Sequence, residues 1–547
     1  MRTVRVLRGV FVLLFGWTVY LMLGQSGTGT LQVEIRDKAS GQLVPAMVCI
    51  SSLDDHKWRT PPDGRVSPPY STARDFYAPG NWKRGDIGLV RVTNGDYQDN
   101  NTRSTVYRGA SAYPFWQEAA IYFVSQPFTM TLPAGRWRLA VARGIEYLPV
   151  FEEFDISANQ AKKRDVALAR WVDMPRQGWY SGDDHVHYPR TRPEHNEFLL
   201  TWARAEDVHV TNILRMGDIR RTYFEQSGYG KQFRHHQDDY VLVSGQEDPR
   251  DEPGHAIALN ITAPVRDTAR YHLYDFMFDG IRAQGGLTGY AHNAWSHPWD
   301  STINVVRGKI DFAEILQFRR LGLEDYYDFL NLGFKLAAAA GSDLPWGSTI
   351  GEVRVYAYTG AGFSPDTWFA ALKQGRTFVT NGPMLMLTAD GAMPGDDLKV
   401  RRNSTVRIRA RAWAPEIIGS PKTLELISHG RVIHSVKSSN PKKWELRFEF
   451  SLRAEESQWV AARVASHNGA LAHTSPVYLV VDGDSFRKRS ELPRLVDNRL
   501  KELDSIGDKL RDVKYVGRYA VGEADALVGR IEQARERYRQ LATQKQP

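Results

Sequence analysis

The chain holds a single cysteine, Cys49, in 547 residues. One thiol excludes an internal disulfide, a thiolate zinc finger and an iron–sulfur centre, so any metal must be held by His, Asp and Glu. Apolar runs are scarce too: only Val10 to Leu23 is long, and it falls short of the roughly 20 residues that span a bilayer. With 42% hydrophobic and 24% charged residues, the composition excludes both a disordered polymer and a polytopic membrane protein. At about 100–200 residues per domain, the length calls for several domains.

Charge of one sign is in modest excess, 71 Lys and Arg against 63 Asp and Glu, a net +8. Its placement matters more than its size. Arg2, Arg5 and Arg8 precede the apolar run, and the small residues GQSGTGT follow it. Residues 1–28 therefore read as an export signal with a small-x-small site at Gly24-Gln25-Ser26, or as an uncleaved amino-terminal anchor. The body is expected to be exported, periplasmic or extracellular. From Ser485 onward, 15 basic and 10 acidic residues make a tail of +5. Leu495, Arg499, Leu500, Leu503 and Ile506 fall at helical spacing, so residues 485–547 read as a basic helical tail with a solvated amphipathic face. No nucleic-acid motif with interleaved aromatics accompanies it. Residues 29–484 sum to zero charge, so no nucleic-acid partner is expected.

Between the ends, two stretches alternate apolar and polar residues with period two. TLQVEIRD, RVTNG, IYFVS, FTMTLPAG and WRLAVARG make residues 29–170 a β-sandwich, and STVRIRARAW, KTLELISHG, WELRFEFSL, WVAARVAS and SPVYLVVDG make residues 384–484 a second one. Residues 171–383 instead alternate short β-branched runs (DHVHY, VHVTNIL, YVLVSG, AIALNI, LTGYAH, AEILQF, KLAAAA) with helix-length segments. EHNEFLLTWARAED, RYHLYDFMFDGIRAQ and PDTWFAALKQG are the clearest helices, and Leu273, Phe276, Met277 and Ile281 share one face of the second. The fold class is α/β, a parallel barrel of about seven strands or a doubly wound sheet, with the barrel preferred.

Ligand-type residues gather at the ends of those strands, where barrel enzymes place their sites. His185 and His187 stand two apart in GDDHVHYP, on one face of a strand. Glu247 ends VLVSGQE, His255 opens PGHAIALN, His292 ends LTGYAHN and Asp343 ends LAAAAGSD. Imidazoles mixed with hard carboxylates suit Zn, Mn or Fe, and a carboxylate shared between two ions would give a two-metal site. With 15 histidines in the chain, an HxH pair alone is a weak signal, and a lone strand histidine is ordinarily a packed or surface residue. His235, His236, His272 and His297 are assigned to surface or loop roles, and His195 is a rim candidate only.

The segments GDDHVHYPR, VSGQEDPRDEPGHAIALN, GGLTGYAHN, GSDLPWG and RTFVTNGPM resemble those of the CehA/McbA-type metallohydrolases, a branch of the polymerase-and-histidinol-phosphatase (PHP) superfamily. LPAGRWRLAVARGIEYLPV and LAHTSPVYLVVDG resemble the sandwiches that flank the barrel in that branch, so the resemblance covers roughly residues 30–482. It implies a distorted seven-stranded β/α barrel over residues 171–383 and hydrolysis of phosphoesters or of carboxyl and carbamate esters. It also implies one metal site at His185, His187, Glu247 and Asp343 and a second at Glu247, His255 and His292, with Glu247 bridging. Three departures agree with one another. Thr211-Asn212-Ile213 replaces TDH, Asp343-Leu344-Pro345 replaces DxH, and no histidine stands at Pro193. All three losses belong to the family's third metal site, so two ions are expected.

The resemblance then implies attack by a hydroxide activated between two cations. Asp343 and Glu247 are the catalytic candidates, Asp343 orienting the nucleophile and moving its proton. Asp184 and Glu314 are candidates for fixing imidazole tautomers, each equally readable as a strand-end hydrogen-bonding residue. Arg215 and Arg319 are candidate clamps for an anionic group on a small-molecule ester substrate, though surface roles suit them as well. The competing reading is a non-catalytic, eroded barrel that binds glycans or a protein partner.

Overall fold

The alternation in TLQVEIRD becomes the strand Thr28–Asp37, with Leu31, Val33 and Ile35 buried and Gln32 and Arg36 exposed. It sits in the middle of a three-stranded sheet, between Ala161–Leu168 and Phe128–Pro133. A five-stranded sheet runs in the order Arg65–Val66, Tyr122–Val124, Ala46–Ser52, Gly135–Ala142, Val150–Ile156. Leu31, Val33 and Leu132 of the first sheet share one core with Val48, Leu139 and Val141 of the second. Cys49, buried and unbridged, falls on the other face of its strand with Met47 and packs with Phe123 and Trp202 instead. The computed structural model describes residues 27–54, 122–346, 349–512, 519–520 and 522–543, with 59, 61, 65–66, 91–93 and 96–98. The signal or anchor expectation rests almost wholly on residues 1–26, outside that set.

The protein is α/β, mostly strands in several sheets, with seven helices among the described residues. These are α1 (Pro193–Ala205), α2 (Tyr274–Ala283), α3 (Asp300–Asn304), α4 (Glu324–Asn331), α5 (Pro365–Gln374), α6 (Leu492–Lys509) and α7 (Glu523–Thr543). Seven strands carry the middle of the chain: β1 (Trp179–Val186), β2 (Val210–Gly217), β3 (Tyr240–Asp251), β4 (Gly254–Leu259), β5 (Leu287–Tyr290), β6 (Phe312–Gln317) and β7 (Ala337–Ala340). Each pairs with the next. Just past β7, Asp343 N donates to His185 O at 2.7 Å and His187 N donates to Leu344 O at 2.7 Å, which ties the end of β7 back to β1.

The expectation of parallel pairing throughout fails at β4, which runs antiparallel to both β3 and β5. The reason is local: the chain turns at Asp251–Gly254, and so short a connection joins only antiparallel strands, since a parallel neighbour needs a crossover of a dozen or more residues. The reversal has a consequence for chemistry. It brings the beginning of β4, with His255, beside the end of β3, with Glu247.

The helix faces hold in outline. Met277, Phe278 and Ile281 of α2 are buried in the central core, as is Leu273, which caps the helix. Phe276, expected on that face, is only half-buried and lies under the Arg270 guanidinium, 3.8 Å from ring centroid to Cζ. At the carboxyl side, Met384–Ala389, Thr405–Trp413 and Glu445–Arg453 form a three-stranded sheet. Strands Pro421–Ser428, Gln458–Ser466 and Val477–Val481 instead join the network of β1 to β7, through Thr377–Thr380, which pairs with both Arg354–Tyr358 and Leu471–Thr474. Strand pairing therefore crosses the expected boundary at 383/384 without a break.

The tail is less solvated than expected. Leu495, Leu503 and Ile506 of α6 and Leu527, Ile531, Ala534 and Tyr538 of α7 lie in the same core as Ile303, Tyr326 and Phe329. Arg499, 5% exposed, is held by Asp325 at 2.9 Å and Glu502 at 3.0 Å. Charge at a helical core position is tolerated there because it is paired. Among the described residues no helix is long and apolar enough to cross a membrane.

Candidate metal centre

His185, His187, Glu247, His255, His292 and Asp343 come from five separate chain segments and meet at one end of β1 to β7. Three overlapping groups of them could each hold a cation: His185, His187 and Glu247; Glu247, His255 and His292; His185, His292 and Asp343. Glu247 belongs to two groups, as a bridging carboxylate requires. Its Oε1 is 2.8 Å from His255 Nδ1 and 3.3 Å from His292 Nε2, while its Oε2 is 3.3 Å from His187 Nε2. Asp343 Oδ1 lies 3.4 Å from His185 Nε2 and 3.5 Å from His187 Nε2.

The far side of each ring decides what the near side offers. His187 Nδ1 sits 3.0 Å from the Leu214 carbonyl, which can only accept, so in the neutral ring Nδ1 carries the proton and Nε2 a bare lone pair. His292 Nδ1 sits 2.8 Å from Gln317 Oε1, and that amide is oriented because Gln317 Nε2 donates to Glu314 at 3.2 Å. His185 Nδ1 faces both oxygens of Glu314 at 3.4 Å. With the rings neutral, three Nε2 lone pairs and two carboxylates thus point at one small volume. His185 Nε2 and His187 Nε2 are only 3.0 Å apart, and His292 Nε2 is 2.9 Å from His255 Nδ1. That donor set fits divalent cations of the Zn, Mn or Fe kind.

Carboxylates and rings favour each other's charged forms: burial pulls His185 and His292 down, but Asp343, Glu314 and Glu247 outweigh it and raise both, so a proton and a metal ion compete for these nitrogens. Burial pushes the Glu247 carboxyl up, but His255 and His185 outweigh it and hold it well below the ordinary range. Burial likewise opposes ionisation of Asp343, and His185 and His187 again win and lower it. Both carboxylates are ready to bind a cation at neutral pH. The backbone is distorted at the same place: His292 at φ +65° and Asp343 at φ +52° occupy the left-handed region, rare for residues other than glycine and found at sites where the surroundings over-determine it. Gly341 is required beside them, because a Cβ there would lie 2.2 Å from Asp184 Oδ1 and 2.3 Å from His185 Cβ.

The supporting candidates divide. Glu314 lies against the His185 ring and also accepts from His292 N at 2.8 Å. Asp184 does not fix a tautomer: both its oxygens are buried without a hydrogen-bond partner, and burial together with Glu314 pushes its pKa well up. Its neighbour Asp183 orders the loops, accepting from His185 N at 3.0 Å, Ser342 N at 3.0 Å and Gly351 N at 2.8 Å. Arg215 cannot clamp a substrate at this site. In the β2–β3 register it pairs with Gln246, while Met216 pairs with Glu247. Side chains alternate along a strand, so Arg215 is on the face opposite Glu247, and there it meets Asp248 at 3.4 Å. It is buried, not a surface residue. Arg319 is half-buried at φ +66°, two residues past Gln317; its Nε has no hydrogen-bond partner, and it forms no ion pair among the described residues.

The other histidines keep their expected surface or loop roles except His272. His195 stays apart, packed edge-on to Tyr188 and contacted by Arg192 at 3.1 Å, and His235 reaches Glu197 at 3.1 Å. His272, by contrast, is buried between Asp251 and Glu523, whereas His297 stays exposed on its loop, between Asp325 and Glu502. Gln317, Arg250, Phe224 and Trp346 were not anticipated at the centre. Arg250 Nε is 3.4 Å from Glu247, Phe224 stacks on His187 with centroids 5.3 Å apart, and Trp346 meets the same ring edge-on at 5.6 Å. Only the spacing of Arg250, three residues past Glu247 on the same strand, offered a hint.

No protein-family model matches the chain, and no curated protein matches it significantly. Among solved structures, PsfC from Pseudomonas syringae PB-5123 aligns at 12% identity over 37% of this chain and 90% of its own, with a TM-score of 0.26. An engineered protein aligns at 14% identity over 18% of this chain and 20% of its own, with a TM-score of 0.13. At such scores neither likeness bears on fold or function.

Proposed function

We propose that this chain is an exported two-metal hydrolase of the CehA/McbA type within the PHP superfamily, cleaving a phosphoester or a carboxyl or carbamate ester of a small molecule. In this reading β1 to β7 form a distorted seven-stranded barrel, flanked by β-sandwiches over residues 29–170 and 384–484. One observation carries it: three imidazoles, each with its far nitrogen engaged, aim their Nε2 atoms at two ionised carboxylates within a few ångströms. Three imidazole nitrogens and two carboxylates converging on one small volume make a donor set for cations, and an eroded barrel would have no reason to keep its rings so oriented.

His185, His187 and Glu247, with Asp343 beside them, would hold one ion, and Glu247, His255 and His292 the other. Divalent ions held there would supply Lewis acidity and would lower the pKa of a water towards neutral pH. The rest falls to the chain. Asp343, ionised and 10% exposed at its side chain, accepts the proton of the attacking water and hands it to the leaving group. Glu314, Leu214 O and Gln317 keep the rings aimed. Phe224 and Trp346 wall the His187 side and exclude water, and Arg319 is the side chain best suited to meet an anionic group. The test is a screen of p-nitrophenyl phosphate, a phosphodiester, an acetate and a carbamate with Zn, Mn or Fe supplied. Hydrolysis of one class, lost in His185→Ala, supports the reading. An inert wild-type protein on all four favours a binding module.

A further inference from the structure

The two tail helices reach the candidate centre through a repeated device. Glu523, the first residue of α7, accepts from His272 N at 2.5 Å and faces His272 Nδ1 at 2.9 Å, and the opposite nitrogen of that ring meets Asp251 at 3.1 Å. Tyr519 packs on the same ring with centroids 4.4 Å apart. Glu502 of α6 bonds His297 Nε2, whose Nδ1 bonds Asp325. Glu502 also accepts from Thr302 at 2.6 Å, and Tyr538 of α7 donates to Thr302 O at 2.9 Å. Each clasp is thus a histidine of the body gripped between a carboxylate of the body and a glutamate of the tail.

What the clasps hold is specific. Asp251 begins the β3–β4 turn whose flanks carry Glu247 and His255, and Arg250 pairs with His255 across it. His297 sits five residues past His292, in a segment whose Trp295 and Ser296 amides donate back to His292 O at 2.7 and 2.9 Å. The two segments also brace each other: Asp300 N donates to Pro253 O at 3.1 Å, and a Cβ on Gly254 would strike Pro298 at 2.3 Å. Among the described residues, no such clasp touches the other ligands. His185 and His187 are fixed inside the sheet by Glu314 and Leu214 O, and Asp343 by its amide bond to His185 O.

We infer that Glu502 and Glu523 are positioning residues for one half of the centre: the tail holds His255 and His292 in register with Glu247, and so sets occupancy of that second cation site. The inference rests on the two-metal reading above. It deepens that reading by giving the tail, which has no counterpart in the family resemblance, a place in the chemistry.

The experiment is a Zn(II) titration of the full-length chain, stripped of metal, with elemental analysis of bound ion and the thermal midpoint measured alongside. Wild type is expected to take up two ions. In E502A/E523A the first ion should bind as in wild type, and the second should weaken by about tenfold or more, the scale of losing a residue that keeps a ligand in place. The isosteric single variants E502Q and E523Q should each show part of that loss and guard against misfolding of the double variant. Arg535→Ala, which breaks the Arg535–Asp504 bridge between the two tail helices and leaves both clasps alone, should lower the thermal midpoint and keep both ions. Unchanged affinity for both ions in the clasp variants overturns the inference while sparing the two-metal reading, as does an equal loss of the second ion in Arg535→Ala. A wild-type chain that binds no ion overturns both.

Discussion

His185 Nε2 and His187 Nε2 face each other across 3.0 Å while their Nδ1 atoms are turned to Glu314 and the Leu214 carbonyl. In neutral rings this sets two lone pairs head to head, next to the carboxylates of Glu247 and Asp343. A cation turns that repulsion into coordination. Chelation of metal-replete protein should therefore lower the thermal midpoint by several degrees, and re-addition of Zn or Mn should restore it. Ligand binding at 100 times Kd stabilises by about 2.7 kcal/mol. Calorimetry with and without chelator reads this directly, and an unchanged midpoint counts against a bound ion.

Asp343 offers a clean separation of binding from chemistry. At φ +52° an alanine is strained, but asparagine tolerates the left-handed region and keeps the shape. Asp343→Asn should fold normally and retain most of its metal. Its kcat should fall by roughly 100- to 10,000-fold, the contribution of a general acid–base group. Steady-state kinetics beside elemental analysis checks both halves.

Gly341→Ala should act on the centre without touching a ligand. The added methyl would overlap His185 Cβ and Asp184, and forcing an extra carbon into a packed interior costs about 1–3 kcal/mol. Denaturant unfolding should show that loss, and metal affinity should drop with it because His185 has to move.

Much of this is legible in the amino-acid sequence. The period of two in TLQVEIRD and STVRIRARAW and the ends of YVLVSGQE, LTGYAH and LAAAAGSD placed the strands and brought six ligand-type residues to notice, because burial and chemistry both act on local pattern. Arg215 was misjudged for a different reason. Being near a strand end does not say which face a residue takes, and only the pairing of Met216 with Glu247 does. The reversal of β4 was written in the shortness of the turn at Glu252-Pro253, a constraint on topology that hydrophobic pattern does not express. His272 and His297 lay beyond reach, since their partners Glu523 and Glu502 are more than 200 residues away along the chain.

Tail docking should depend on pH. Burial pushes the His272 and His297 imidazoliums down, but the hydrogen bonds to Asp251 and Glu523, and to Asp325 and Glu502, outweigh it and raise each pKa from 6.5 to about 9. Groups raised on folding stabilise fully below pH 6.5, and their contribution fades as pH climbs through about 9. The hydrogen-exchange protection factors of α6 and α7, corrected for the base-catalysed rise of the intrinsic rate, should therefore be high at pH 6–7 and fall near pH 9–10, ahead of those of β1 and β2. Equal protection of the tail at both pH values would contradict the clasps.

The measurement that bears most directly on the whole account is the metal stoichiometry of the pure full-length protein, loaded with Zn, Mn or Fe and freed of excess, for wild type, His185→Ala and His255→Ala. The account predicts two ions per chain in wild type, a loss at one site or the other in each variant, and ester hydrolysis only in the doubly loaded form. A wild-type chain that holds no ion, or that holds three tightly, would contradict it.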